Sequence, residues 1–590
     1  MTVFQARTDI PGINMPVTPL DRIRYISATV LFISLALAVH NDCAAWTLPV
    51  RAALRSRYGN GQESFFQGLM RKSDKTYFEN RLDLDYSSGR LDIGLSVESR
   101  EHAEFSDDFT RLRKGYVQYT GENFFLRGGT LYTLVGRGLT LDLHEDRVIE
   151  FDNTVRGFQG QVDLGALRVM ALAGWSSYMD YRAPKIVDDH TLFATSLEYK
   201  FADGVKAGLS AIHDRMTKRK DNLSSDPVAV DVDIPVLAGG PHLEVISGAW
   251  EIFVESSWKH SGYNRALPYA DLYQAPIRPL RNLSHSIDGA GLYGTVSWAG
   301  EDIGLVLEYK NYQYNLENVC TSVQTTGFHP TGASVFQYPP TVYKEHLYRL
   351  LNRYPISSNP DNEIGMQLEF NATAGDKLDF QAVTSLTSQA DLLFPPETGC
   401  SHWKRKREGF PMLPSVNERF NPLWDTFVDI RWRPEDNLRL QGGYGYRSLT
   451  EYRLQSNSGD RQMIHTLPVQ TEWLVSSRWS LRLDLEAQHV HDKGFPYERV
   501  HDNWLNKFAS LGVGWNQRVV LSAGSELTSK KTMPGESRKW PFAELSVRLP
   551  RGGTFNLFYG SQREGMVCSN GLCRYMPGFK GLRTELNMFF

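Results

Sequence analysis

Gly581-Leu582-Arg583-Thr584-Glu585-Leu586-Asn587-Met588-Phe589-Phe590 alternates along its whole length. In an extended chain successive side chains point to opposite sides. Leu582, Thr584, Leu586, Met588 and Phe590 therefore share one face, and Arg583, Glu585 and Asn587 share the other. A strand with one apolar and one charged face separates an apolar medium from a polar one. Soluble chains usually finish in a polar, loosely ordered tail; this sequence finishes on two aromatics.

The stretch resembles the closing strand of a bacterial outer-membrane β-barrel, and that resemblance makes Phe590 the expected contact with barrel-assembly machinery. The other end agrees. Arg22 and Arg24 precede the apolar run Ile26 to Val39, and Cys43-Ala44-Ala45 supplies small residues at a cleavage site before Trp46. This is the layout of an export signal over residues 1–45, cleaved near Ala45, with Met1 or Met15 as the start. The 14-residue run is short for a bilayer span. The expected location is the outer membrane of a Gram-negative-type bacterium.

Mean hydropathy is -0.37, and no other long apolar run occurs, which excludes a helical membrane protein. Strands closed into a barrel are the other backbone that satisfies its hydrogen bonds in lipid. Net charge is -3 and residues 1–45 carry three basic and three acidic groups, so the remainder keeps that value. No nucleic-acid partner is implied. Aromatics reach 12%, with 27 Tyr and 13 Trp, as two interfacial girdles require.

Reading backward from Phe590, short turns fall at 550–553, 515–517, 475–478, 433–436, 373–376, 298–301, 246–248, 202–204, 163–166, 120–123 and 87–90. Long polar segments separate them near 562–579, 529–538, 490–505, 449–462, 389–424, 313–362, 260–285, 215–239 and 131–153. The expected fold is all-β: one large antiparallel transmembrane barrel of about 24 strands (roughly 22–26), with short periplasmic turns and long extracellular loops. Residues 46–76 form an N-terminal segment with a possible first strand, and 77–590 the barrel. A β-sandwich or propeller has the same period, but shorter strands and more even loops.

Individual strands separate their faces. Leu481, Leu483, Leu485 and Ala487 alternate with Arg482, Asp484, Glu486 and Gln488; Leu82, Leu84 and Tyr86 alternate with Arg81, Asp83 and Asp85. A charge facing lipid costs a few kcal/mol at mid-membrane, so the charged sets face a wet lumen. Trp298, Trp432 and Trp515 fall at turn ends, and Trp175, Tyr178 and Trp258 near loop ends, as girdle residues do. Of five cysteines, Cys43 leaves with the signal. Cys568 with Cys573, and Cys320 with Cys400, are disulfide candidates, all placed in outer loops.

Gly136-Arg137-Gly138-Leu139, Glu145-Asp146-Arg147 and Asp152-Asn153 recur with Lys344–Arg353 and Cys568–Arg574 in an arrangement that resembles an uncharacterised family of large bacterial outer-membrane barrels, a domain-of-unknown-function family. The resemblance implies the fold and supplies no activity. The residues themselves allow two readings of segment 131–153. It folds inward and Arg137, His144, Glu145, Asp146, Arg147 and Asp152 form a pore constriction, or the same groups make a lumenal ion-pair cluster that braces the wall.

Leu347, Leu350 and Leu351 have helical spacing, which predicts a short helix over Tyr343–Arg353 resting on the barrel mouth or plugging it. His489 and His491 continue a lipid-facing parity, so no metal is assigned. Lys404-Arg405-Lys406-Arg407 is an outer-loop basic run able to meet lipopolysaccharide phosphates or remain solvated. No nucleophile elbow or Ser-His spacing marks a catalytic site, and no cofactor is implied. A ligand-gated importer driven by an energy-coupling protein needs a plug domain ahead of its barrel, and strands here begin by about Tyr77. The expected function is a porin-like channel or transporter for polar solutes; the alternative is a non-conducting structural or interaction barrel in a surface or secretion complex. Expected partners are outer-membrane lipid, lipopolysaccharide and an unidentified surface or periplasmic protein.

Overall fold

The computed structural model describes residues 50–66, 70–102, 108–179, 186–220, 232–263, 285–314, 335–356, 358–360, 362–394, 404–406, 411–453, 458–493, 503–530, 538–569 and 572–590. The signal segment, Cys320 and Cys400 lie outside them. Among the described residues a single antiparallel sheet of 24 strands forms the body of the protein. In chain order these are β1 (Val50–Phe66), β2 (Met70–Ser88), β3 (Leu91–Glu101), β4 (Phe109–Thr120), β5 (Phe124–Leu131), β6 (Val155–Leu164), β7 (Leu167–Met179) and β8 (Ile186–Ala202). Next come β9 (Val205–Lys220), β10 (Val232–Ser247), β11 (Trp250–Tyr263), β12 (His285–Ala299), β13 (Ile303–Gln313), β14 (Glu363–Ala374), β15 (Leu378–Ser388) and β16 (Leu423–Glu435). The last are β17 (Leu438–Arg453), β18 (Ser458–Leu474), β19 (Trp479–Lys493), β20 (Asn503–Trp515), β21 (Val519–Thr528), β22 (Lys539–Arg548), β23 (Thr554–Gln562) and β24 (Gly578–Phe589).

Each strand pairs with its sequence neighbour. β1 closes the ring against β24, from Ala53↔Phe589 to Ser64↔Gly578. Closure leaves no row of unpaired backbone groups, which is what allows a sheet to stand in hydrocarbon. Every short turn read from the sequence falls on a connection between paired strands, and the expected strand number is the observed one.

The barrel wall begins earlier than Tyr77, which sits inside β2 opposite Gly59 of β1. The Val50–Phe66 strand carries a weak pattern because Arg55, Arg57, Gly59 and Gly61 follow each other on one parity and Ala52, Leu54, Ser56 and Asn60 on the other. Its contrast between faces is too small to stand out by alternation.

The two faces of the wall are as different as the period-two pattern demands. Leu483 and Leu485 are 39% and 43% exposed on the outside, as are Trp175, Trp258, Trp432 and Trp515 near strand ends. At the closing seam Leu54 and Leu82 pack with Leu84, Val97, Met588 and Phe590. On the inner face of the same strands Glu585 pairs with Arg55 at 3.2 Å, and Arg57 pairs with Glu79 at 2.9 Å. The alternation read at Gly581–Phe590 is therefore a division between an apolar exterior and a charged lumen.

Candidate functional site

Lumenal side chains change character along each strand. Near the turn ends they are open: Arg482 and Arg439 are 55% and 44% exposed. Nearer the loop ends, on the same inner face, Glu486, Gln488 and Asp492 are buried, as are Ser257, Lys259, Ser385 and Thr387. The loop half of the lumen is therefore filled, and the turn half is an open vestibule. Among the described residues, two inward-folded segments do most of the filling.

The first is the connection between β5 and β6. Thr133–Val135 pairs with Leu141–Leu143, and Glu145–Asp146 pairs with Phe151–Asp152. The segment turns inward because the wall offers it an apolar patch. Val135, Leu141 and Leu143 bury themselves against lumen-facing Leu172, Leu192, Ile212 and Ala238. Each such side chain contributes about 1.5–3 kcal/mol when fully buried.

Its acidic groups then meet the wall's bases. Glu145 lies 2.9 Å from Lys114, 3.2 Å from Arg113 and 3.3 Å from Arg81. Asp152 lies 3.1 Å from Lys114 and 3.4 Å from Arg113, and Glu150 lies 2.8 Å from Arg100. Burial alone would push the Glu145 carboxyl up, but Lys114, Arg113 and Arg81 outweigh it and hold its pKa at about 2. The group is a fixed anion, paired on several sides.

The six candidates do not form one ring. Glu145, Arg147 and Asp152 share the cluster on β2–β4, with Arg147 at 3.5 Å from Glu145 and half exposed. Asp146 accepts from the Val148 amide and closes a turn. His144 faces elsewhere, 3.0 Å from Asp142 and with its ring tilted against those of Tyr338 and Phe151. Arg137 reaches β11, six strands along the wall from β5: its amide donates to Glu255 at 2.5 Å and its guanidinium lies 3.5 Å from Glu251. Gly136 and Gly138 make that reach possible. Both adopt positive φ (59° and 91°), and a Cβ at Gly136 would stand 2.5 Å from the Glu255 carboxylate. Glu145 and Asp152 are taken up in ion pairs with the wall, while Arg137 and Arg147 keep exposed guanidinium groups.

The second segment is residues 335–356, between β13 and β14. It forms a belt along the inner wall. Phe336 packs in the apolar patch on β7–β10. Lys344 pairs with Glu369 of β14 at 2.8 Å, and Tyr348 donates to Asp429 of β16 at 2.9 Å. The Arg349 and Leu350 amides donate to Glu486 of β19 at 3.0 and 2.7 Å. Arg353 lies 3.5 Å from Glu526 of β21. Burial, reinforced by neighbouring Arg563, pulls the Arg353 pKa down to about 10.

The expected Tyr343–Arg353 helix is not formed. Only Leu351–Arg353 makes a single 3₁₀ turn. The Glu486 carboxylate takes the Arg349 and Leu350 amides, which a helix would use internally. Leu347, one of the helically spaced leucines, is 100% exposed, while Leu350 and Leu351 are buried.

The two segments are joined. Asp142 donates its amide to the Phe336 carbonyl at 2.9 Å, and Tyr338 donates to the Gly138 carbonyl at 3.0 Å. Gln337 adds a side-chain bond to the Leu139 carbonyl at 2.9 Å. The last loop also takes part, since Tyr338 donates to the Ser569 carbonyl at 3.0 Å. In that loop Gly565–Ser569 pairs with Leu572–Met576, and the register sets Cys568 directly opposite Cys573.

Sequence reasoning missed Glu150, Glu255 and the role of Glu486. Glu486 was legible as lumenal, but its partners lie 136 residues or more away in the chain. His465 and His489 stand opposite each other on β18 and β19, on the parity of exposed Leu483 and Leu485. Among the described residues, no group of three or more His, Cys, Asp or Glu side chains could hold a metal ion.

The barrel is similar in outline to the siderophore receptor PirA from Pseudomonas aeruginosa, at 9% identity over 92% of this chain and 80% of that one, TM-score 0.42. It is also similar to the copper transporter OprC, at 9% identity over 92% and 80% of the two chains, TM-score 0.44. No curated protein matches it in sequence. A profile described as a family of unknown function (DUF6029) matches residues 26–590, and the chain belongs to that family.

Proposed function

We propose that this protein is an outer-membrane barrel that passes small polar solutes through a charged lumen, with its extracellular mouth held closed by its own in-folded segments. The supporting observation is the gradient of exposure along the inner face: an open, ion-lined vestibule at the turn end beneath a packed collar at the loop end. A purely structural barrel has no need of a wet vestibule. Charges of both signs line it, including Arg482 with Asp484, Arg439 with Glu472 and Arg433 with Asp379. Such a lining favours polar over apolar solutes without selecting strongly for one sign.

The collar is the natural place for control. Its segments join the wall covalently only at their ends and are otherwise held to it by ion pairs and buried hydrogen bonds, so they can swing away while the wall stays closed. Solute flux into proteoliposomes tests the reading. Sugars and small zwitterions should enter faster with the protein than without it, and faster still when residues 337–350 are replaced by a short Gly-Ser linker. Equal flux in all three preparations would replace the channel with a non-conducting interaction barrel.

A further inference from the structure

Besides the collar, the described residues contain a second unusual loop arrangement, and it lies on the outside of the wall. At the loop ends of β13, β14 and β15, Asn311, Ile364 and Ser388 are direct neighbours in register. All three carry the outward parity of exposed Leu305, Leu307 and Leu368. Ile364 is nevertheless 0% exposed. The segment beginning at Pro411 accounts for the neighbours on either side of it. The Asn311 side-chain amide donates to the Pro411 carbonyl at 2.9 Å, and the Ser415 amide donates to the Ser388 hydroxyl at 2.9 Å. The chain between these two anchors bridges the outer face of three strands over Ile364.

The bridge presents apolar groups outward. Met412, Leu413 and Val416 are 57%, 66% and 70% exposed. Asn417 then accepts from the Arg419 amide and starts the turn that returns the chain to β16. The first outward residue of that strand, Trp424, is half exposed and hydrogen-bonded to Thr384 and Thr426 on the same outer face. A tryptophan with its ring outward and its N–H satisfied is suited to a membrane boundary.

We propose that Pro411–Val416 is a membrane-contacting flap whose Met412, Leu413 and Val416 lie among the acyl chains of the outer leaflet. The occupant follows from continuity. The flap is pinned onto the lipid-facing wall, not onto the lumen, and its exposed side chains extend the apolar band of Leu305, Leu307 and Leu368 past the strand ends. It would give this sector of the barrel a taller hydrophobic surface than its strands alone supply.

The inference rests on the membrane reading of the barrel, and the test separates the two. Spin labels are placed singly at Leu413→Cys and Leu307→Cys, in a background with native cysteines replaced by serine. The protein is reconstituted in phosphatidylethanolamine–phosphatidylglycerol vesicles. Both labels should collide more often with oxygen than with a water-soluble nickel chelate. Nickel-dominated collisions at Leu413 with oxygen-dominated collisions at Leu307 would overturn the flap and leave the barrel in the membrane. Nickel-dominated collisions at both would overturn the membrane reading itself. A label at Leu413 shielded from both reagents would mean that protein covers the flap, and would also refute the lipid contact.

Discussion

Glu145 concentrates the energetics of the first in-folded segment in one carboxylate. It is nearly buried and sits between Lys114, Arg113 and Arg81. Removing one partner from a buried ion pair costs about 3–5 kcal/mol, because the remaining charges lose their compensation. Glu145→Ala should therefore loosen residues 132–154, read as faster amide exchange there with the strands unaffected. Acid should do the same. A carboxyl whose folded pKa is about 2 lies below the ordinary value of about 4.3. Its contribution is complete above that ordinary value and is lost as pH falls toward the folded pKa. Protection in 132–154, corrected for the pH dependence of intrinsic exchange, should fall between roughly pH 4 and pH 2, and should fall less in Glu145→Ala, which lacks that carboxyl.

Residue-scale legibility was uneven for a physical reason. Arg81, Asp83, Arg482 and Glu486 declared their side of the wall because period-two alternation is local. The pairing of Glu145 was not legible, since Arg81 is 64 residues away in the chain. Only closure of the barrel brings such groups within reach. Arg137 was readable as chemically unusual between two glycines, but its docking on Glu255 spans 118 residues.

At the scale of elements, the 335–356 belt is held by wall groups that accept its backbone. Glu486→Ala would leave the part-buried Arg349 amide and the buried Leu350 amide without their acceptor, at about 1–3 kcal/mol for a fully buried unsatisfied group. The belt should then exchange its amides faster from Arg349 to Arg353, while β19 keeps its protection. Gly445→Leu should act similarly, because a side chain there collides with Leu351. The helical spacing of Leu347, Leu350 and Leu351 was a real pattern with the wrong consequence. Propensity is a weak prior when tertiary carboxylates compete for the same amides. The 565–576 hairpin was easier to read, because Cys-Ser-Asn-Gly-Leu-Cys is a turn sequence. Its register opposes Cys568 and Cys573, and denatured, unreduced protein should show no reactive thiol at either position. Reduction should increase exchange in the hairpin before it affects the strands.

The whole molecule follows from one repeated local rule. Alternation sets two faces, turn residues set the hairpins, and the seam between β1 and β24 removes the last edge. That much was legible because each strand carries its own signal; β1 was the exception because glycines and small residues dilute its contrast. The inward turn of segment 131–153 was legible from its charges, but its docking place was not, since that depends on an apolar patch assembled from β7, β8, β9 and β10. The central claim is that this collar closes a conducting lumen. Single-channel recording in a planar bilayer tests it most directly. The account predicts small or rare steps from the intact protein and larger, long-lived ohmic steps when residues 337–350 are replaced by a short linker. Silence from both proteins, with the barrel verified as folded, would contradict it.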